Sequence, residues 1–291
     1  MNAKPPTVRG VGARVGRLRP ALVGLVALVS LWLWWPVAPA AAREPIQTAQ
    51  TIQPYLDRVA EAVTEFTLDN GMKFLVLERH QAPVVSFMIH ANVGAVDEAD
   101  GKTGVAHYLE HLAFKGTSRI GTKDFAAEQA IFTQLDEVFD NFLAAQAAGD
   151  TAKAAELEAQ LVALQKEAAS FVEQNQYGQI VQQAGGVGLN ATTSADETRY
   201  FYSLPANKLE LWMSLESERF LDPVFREFYE EKDVILEERR MRVDNSPIGT
   251  MIERFLEESF VNHPYRRPVI GYQDDLFVAT RDDIQAFYDT Y

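Results

Sequence analysis

His107-Tyr-Leu-Glu110-His111 places two imidazoles and one carboxylate within five residues, inside the apolar stretch from Gly104 to Phe114. In a helix, positions i, i+3 and i+4 share a face, so both histidines can grip one metal ion while Glu110 lies beside it. The competing reading is an ordinary amphipathic helix with two surface histidines. His80, His90 and His263 have no ligand-type neighbour at helical spacing and read as loop, strand and loop residues.

The order His-x-x-Glu-His reverses the commoner His-Glu-x-x-His and is the pattern of the inverzincin metallopeptidases. Zinc held by two histidines needs a third protein ligand and an open position, and a carboxylate from elsewhere in the fold can supply the third. Candidates lie in Phe225 to Met241, which is predicted to be one charged helix, with Phe228, Ile235 and Leu236 at helical intervals and no breaker. Glu231 and Glu238 are seven apart and nearly superposed, so one can ligate a metal while the other braces a ligating imidazole. Glu237 points about a quarter-turn away. Spacing alone leaves any of these acids free to be a solvated surface charge.

Six segments together resemble the pitrilysin, insulin-degrading enzyme and mitochondrial processing peptidase group of zinc metallopeptidases. They are Phe66-Thr-Leu-Asp-Asn-Gly-Met-Lys-Phe-Leu-Val-Leu, Ala82-Pro-Val-Val-Ser-Phe, Val93-Gly-Ala-Val-Asp-Glu, Gly104-Val-Ala-His-Tyr-Leu-Glu-His-Leu-Ala-Phe-Lys-Gly-Thr117, Gly185-Gly-Val-Gly-Leu-Asn-Ala-Thr-Thr-Ser194 and Glu231-Lys-Asp-Val-Ile-Leu-Glu-Glu238-Arg-Arg. The resemblance implies His107, His111 and Glu238 as zinc ligands, Glu110 as general base and Glu231 as the supporting acid. It also implies that Asn190, Ala191 and Thr192 belong to a strand beside the metal, where a substrate peptide lies as an added strand. The alternation of Val187, Leu189 and Ala191, then Tyr200 and Tyr202, fits such a strand, because main-chain pairing at a sheet edge makes little demand on peptide sequence. A plain core strand fits the same alternation.

One departure from the family pattern is large. His111 and Glu238 are 127 positions apart, whereas relatives usually separate them by some eighty residues or fewer. The excess falls in 124–176, rich in Ala, Leu, Glu and Gln, with Phe132, Leu135, Val138, Phe139 and Phe142 at helical spacing, a break at Gly149-Asp150, and Leu157, Leu161, Leu164 and Phe171 resuming it. This predicts an inserted helical hairpin, read as a solvated spacer that protrudes and leaves the metal site intact.

No cysteine is present, which excludes thiolate chemistry and disulfides, and neither a Gly-x-Ser-x-Gly elbow nor a phosphate loop occurs. The first 43 residues contain no acid, and five basic residues precede an uncharged run from Ala21 to Ala42. This reads as a secretory signal over 1–42, cleaved near Ala40 or Ala42, which implies periplasmic export in a Gram-negative source. An uncleaved membrane anchor is the alternative. Without 1–42 the chain carries 22 basic and 41 acidic residues, a net charge of −19, which argues against nucleic acid as a partner.

The expected architecture is α+β: mostly antiparallel sheet with helices packed on one face, in a single domain over 63–291 after a linker at 43–62. Asp69-Asn70-Gly71 marks a first hairpin. Thr280-Arg-Asp-Asp283 reads as a capped helix start, followed by Ile284, Phe287, Tyr288 and Tyr291 on one face. The chain stops inside that helix, so a truncated frame is expected, with a second domain or partner chain completing the chamber. The function expected is a secreted zinc endopeptidase acting on peptides or unfolded protein. A non-catalytic peptide-binding or assembly subunit and an inactive fragment are the alternatives.

Overall fold

The computed structural model describes residues 52–291, so the expected leader and the first part of the linker, 43–51, lie outside the described residues. These residues form two compact units, one ending at Arg79 and the other spanning His80–Tyr291.

In the first unit, helix α1 (Gln53–Glu61) occupies part of what was expected to be linker, with Pro54 in its first turn. Strands β1 (Val63–Thr67) and β2 (Lys73–Leu77) form an antiparallel hairpin with Phe66 opposite Phe74. The expected turn closes it: Gly71 adopts φ +87°, and Asn70 Oδ1 accepts from the Met72 N–H. Among the described residues the two strands pair with each other and leave most of their side chains exposed, forming a two-stranded ribbon.

The second unit is built on a three-stranded antiparallel sheet in the order β3 (Val84–Ala91), β5 (Thr198–Pro205), β4 (Val187–Thr193). Around it lie α2 (Val105–Leu112), α3 (Phe125–Ala147), α4 (Thr151–Ala169), α5 (Gln176–Gln183), α6 (Leu209–Leu221), α7 (Phe228–Arg239), α8 (Pro247–Ser259), α9 (Gln273–Val278) and α10 (Arg281–Thr290). On central β5, Tyr200, Tyr202 and Leu204 point to one face and are buried there, Tyr202 and Leu204 against α5 and Leu215 of α6, and Tyr200 against Ala113 and Phe220. The helices pack on one face of the sheet, and the fold is α+β as expected.

Strand β4 is less regular than its alternation predicts. Its register against β5 shifts between Val187 and Asn190, where Gly188 takes φ +71°, and Val187 is left 67 % exposed. The bulge throws the strand out of phase, so only Ala191 keeps the buried position.

The hairpin over 124–176 is helical, with Asp124 and Asp150 capping α3 and α4 and Gly149 in the turn at φ +71°. It is not a solvated spacer. Phe132, Leu135, Phe139 and Phe142 of α3 join Leu157 and Leu161 of α4 in the same buried cluster as Tyr108 and Leu112 of α2 and Phe228, Tyr229 and Ile235 of α7. Polar contacts add to this: the Tyr229 hydroxyl donates to Asp136 at 2.8 Å, and Lys232 Nζ sits 3.9 Å from the Phe139 ring centroid while donating to the carbonyls of Phe277 and Ala279. At the hairpin's base, the fully buried Arg226 pairs with Glu128 of α3 at 3.0 Å and also donates to the carbonyls of Lys115, Thr117 and Ile120. Apolar periodicity showed which face of α3 was greasy but not what it would meet.

Phe139→Ala is expected to lower unfolding free energy by about 3–5 kcal/mol, read as a shift of the urea midpoint. A change within about 0.5 kcal/mol is what a solvated helix would give.

Candidate metal centre

Helix α2 can start only where it does. Gly104 precedes it at φ +87°, and a Cβ there would lie 2.7 Å from the Ile270 carbonyl oxygen and 2.9 Å from Gly271 Cα. Glu98 then reaches over the exposed amides, accepting from Gly104 N–H at 3.0 Å and Ala106 N–H at 2.9 Å. When ionised, a carboxylate at this end would also interact favourably with the helix dipole. Burial pushes Glu98 up to about 8, against the pull of the two amides. One helical face, with Tyr108 and Leu112, is buried in the core.

The charged helix expected over 225–241 is shorter. It begins at Phe228, because Glu227 adopts a left-handed φ of +53°, and it ends at Arg239, where the chain widens into a π-turn over Arg240–Asp244. Tyr108 of α2 stacks on Phe228 of α7, ring centroids 4.7 Å apart, and its hydroxyl donates to the Phe228 carbonyl. This contact sets the two helices side by side.

The structure brings His107, His111 and Glu238 together: one potential ligand atom from each lies within 4.8 Å of the others. Glu238 Oε2 is 3.8 Å from His107 Nε2 and 3.6 Å from His111 Nε2. Tetrahedral ligands at zinc distances sit about 3.3–3.5 Å apart, so both carboxylate–imidazole distances lie within a few tenths of an ångström of that spacing, and a donor set of two imidazoles and one carboxylate suits zinc. Glu231, one turn-pair earlier on α7, takes His111 Nδ1 at 3.0 Å, which orients that ring and points Nε2 at Glu238. Lys115 bridges Glu231 and Glu227. Glu237 faces solvent and pairs with Arg240.

The electrostatics separate the two histidines. Burial, reinforced by the charges of His111 and Arg242, pushes His107 down to about 3, so it is neutral and able to ligate. Burial also opposes charge on His111, but the hydrogen bond and charge of Glu231, with Glu238 and Glu110, outweigh it and raise the ring. Glu231 is in turn held below the usual carboxylate range: burial would raise it, but His111 and Lys115 dominate. Glu110 stands outside the ligand cluster, where burial raises its pKa against a hydrogen bond from Thr193.

Thr193 was not singled out from the sequence, although strand alternation places it on the same face as Ala191. Of the three strand residues that were, Ala191 is buried beside Ala113 and Tyr200, while Asn190 and Thr192 are exposed, and the Asn190 amide oxygen accepts from Ala191 N–H. Among the described residues of this unit, β4 pairs with β5 alone, which leaves its other edge open. Arg242 was also missed, though it lies four residues after Glu238 and its guanidinium meets Glu238 Oε1 at 2.6 Å. His90 lies on β3 and pairs with Glu197, and His263 caps a short turn through Nδ1; neither approaches the cluster.

Comparison with known proteins shows the family. Residues 73–132 and 164–273 match the insulinase family, peptidase family M16. The chain belongs to that family. The 31-residue stretch it leaves unmatched, 133–163, covers the distal part of the α3–α4 hairpin. The zinc protease PqqE of Helicobacter pylori is 31 % identical over 77 % of this chain and 39 % of its own length. A protease crystal structure from Helicobacter pylori superposes with a TM-score of 0.58 at 29 % identity, covering 79 % of this chain and 43 % of that one. The periplasmic protease PqqL of Escherichia coli shares the fold, with a TM-score of 0.55 at 22 % identity over 79 % of this chain and 20 % of that protein. The chain spans about two-fifths of the length of the curated relative.

In metal-free protein, the His111 ring is expected to titrate above the ordinary histidine value and His107 to stay neutral throughout the mildly acidic range. Glu231→Gln should bring His111 down toward the ordinary value or below it. Long-range 1H–15N NMR of the imidazoles reads both.

Proposed function

We propose that this chain is the catalytic part of an exported zinc-dependent endopeptidase, with His107, His111 and Glu238 as metal ligands. The observation that carries the reading is the convergence of two Nε2 atoms and one Glu238 oxygen while Glu110 is held apart from them by Thr193. Zinc bound there would lower the pKa of a water toward neutrality and polarise a carbonyl. Glu110, its pKa raised by burial, is suited to accept a proton from that water and pass it to the leaving amine. Glu231 keeps His111 oriented, and Lys115 keeps Glu231 ionised.

The substrate class we propose is peptide in extended form. The open edge of β4, ending at Thr193 beside Glu110, offers main-chain donors and acceptors along Asn190, Ala191 and Thr192, a mode that reads backbone more than side chains. Because the relatives are more than twice as long as the matched segment, we infer that a second domain or partner chain closes over this face. The acid-free, apolar sequence of 1–42 and the periplasmic location named for PqqL support export.

Glu110→Gln is expected to retain stoichiometric zinc while cleavage of a quenched peptide falls by about 10²–10⁴-fold. His111→Ala should lose the metal as well, and a chelator should silence the wild type. Zinc uptake without any chelator-sensitive cleavage would instead mark a binding or assembly subunit.

A further inference from the structure

Glu238 has two oxygens with different surroundings. Oε2 faces His107 Nε2 and His111 Nε2 at 3.8 and 3.6 Å, whereas Oε1 is taken by Arg242 Nη1 at 2.6 Å. Arg242 lies in the π-turn that follows α7, and its side chain is 71 % exposed. Such turns within helices recur at functional sites. An exposed ion pair contributes little to folding stability, so this contact has no evident structural purpose.

Resting on the metal reading above, we propose that Arg242 is a positioning residue that makes Glu238 a one-oxygen ligand. A carboxylate free to rotate can offer a metal both oxygens. With two histidines already present, the second oxygen would crowd the position that a catalytic zinc site must leave open and, with a water still bound there, raise the ligand count from four to five. By engaging Oε1, the guanidinium leaves Oε2 alone to face the two rings, and the fourth position stays available to water or to a peptide carbonyl. Hydrogen bonds to ligating carboxylates are known to orient them in this way. Because Arg242 also adds a positive charge near a cation, its charge and its hydrogen bond act in opposite directions on metal affinity, and the test must separate them.

Cobalt(II) substituted for zinc reports coordination number through its visible absorption, which weakens markedly from four to five ligands. Wild-type chain, Arg242→Met, Arg242→Gln and Arg242→Lys are loaded with cobalt and compared, and zinc affinity is measured by chelator competition. Met and Gln both remove the charge, but only Gln keeps a donor able to reach a residue four positions back. The Met variant is expected to show five-coordinate absorption and to bind zinc about tenfold more weakly than the Gln variant. Gln and Lys should restore the wild-type spectrum, and melting of all four metal-free chains should coincide. A Met variant with the wild-type spectrum overturns the proposal, as does failure of both Gln and Lys to restore it. A wild-type chain that takes up no cobalt, or a Glu238→Ala chain that takes it up equally well, overturns the metal reading itself and this inference with it.

Discussion

The stacking of Tyr108 on Phe228 is the contact on which the site depends. The sequence separates His111 from Glu238 by 127 positions, and only the packing of α2 against α7 abolishes that distance. Both rings are almost wholly removed from water, and Leu112, Ile235 and Ile284 are buried in the same cluster. Burial of aromatic rings is among the larger single contributions to a core, and offset stacking adds direction to it. The interaction therefore sets not only stability but the angle at which one helix offers two imidazoles and the other a carboxylate.

Around this contact the helix ends are fixed by polar groups. Glu98 caps the start of α2, and Gly104 admits the neighbouring backbone around Ile270 and Gly271 so closely that no side chain fits. Glu231 and Lys115 brace His111 from behind. Each of these groups is buried or half-buried, so its hydrogen bonds are not shared with bulk water and hold geometry more firmly than surface pairs would. The hairpin formed by α3 and α4 completes the support: Asp136 and Phe139 contact Tyr229 and Lys232 on α7, in the same helix that carries Glu238.

Much of this was legible before any coordinates. The pentad placed His107, Glu110 and His111 on neighbouring positions because all three lie within about one helical turn, where spacing is geometry. The heptad separation of Glu231 and Glu238 placed them on a shared face for the same reason. What failed to show was contact across the fold. Periodicity in 124–176 identified an apolar face and a break at Gly149, but whether that face met solvent or α7 depends on tertiary packing that no local pattern records. The first hairpin was read from Asn70-Gly71, yet its membership of a separate compact unit was not. Val187 misled because a glycine at 188 permits a bulge, and a bulge shifts every later residue by one face. Arg242 and Thr193 stand at regular spacings from Glu238 and Ala191, but arginine and threonine are common on surfaces and spacing alone does not mark them.

The same irregularity in β4 bears on how the sheet edge meets other chains. A sheet border with free amides and carbonyls invites other chains to pair with it, and identical copies are the most abundant candidates. Here the register break between Val187 and Asn190 leaves only a short run of regular ladder, ending at the turn after Thr193. One extended guest can lie along that run, but a flat, continuous template for stacking copy upon copy is missing. The proposed docking of one peptide and the lack of a long flat template would thus both follow from one kink in the backbone.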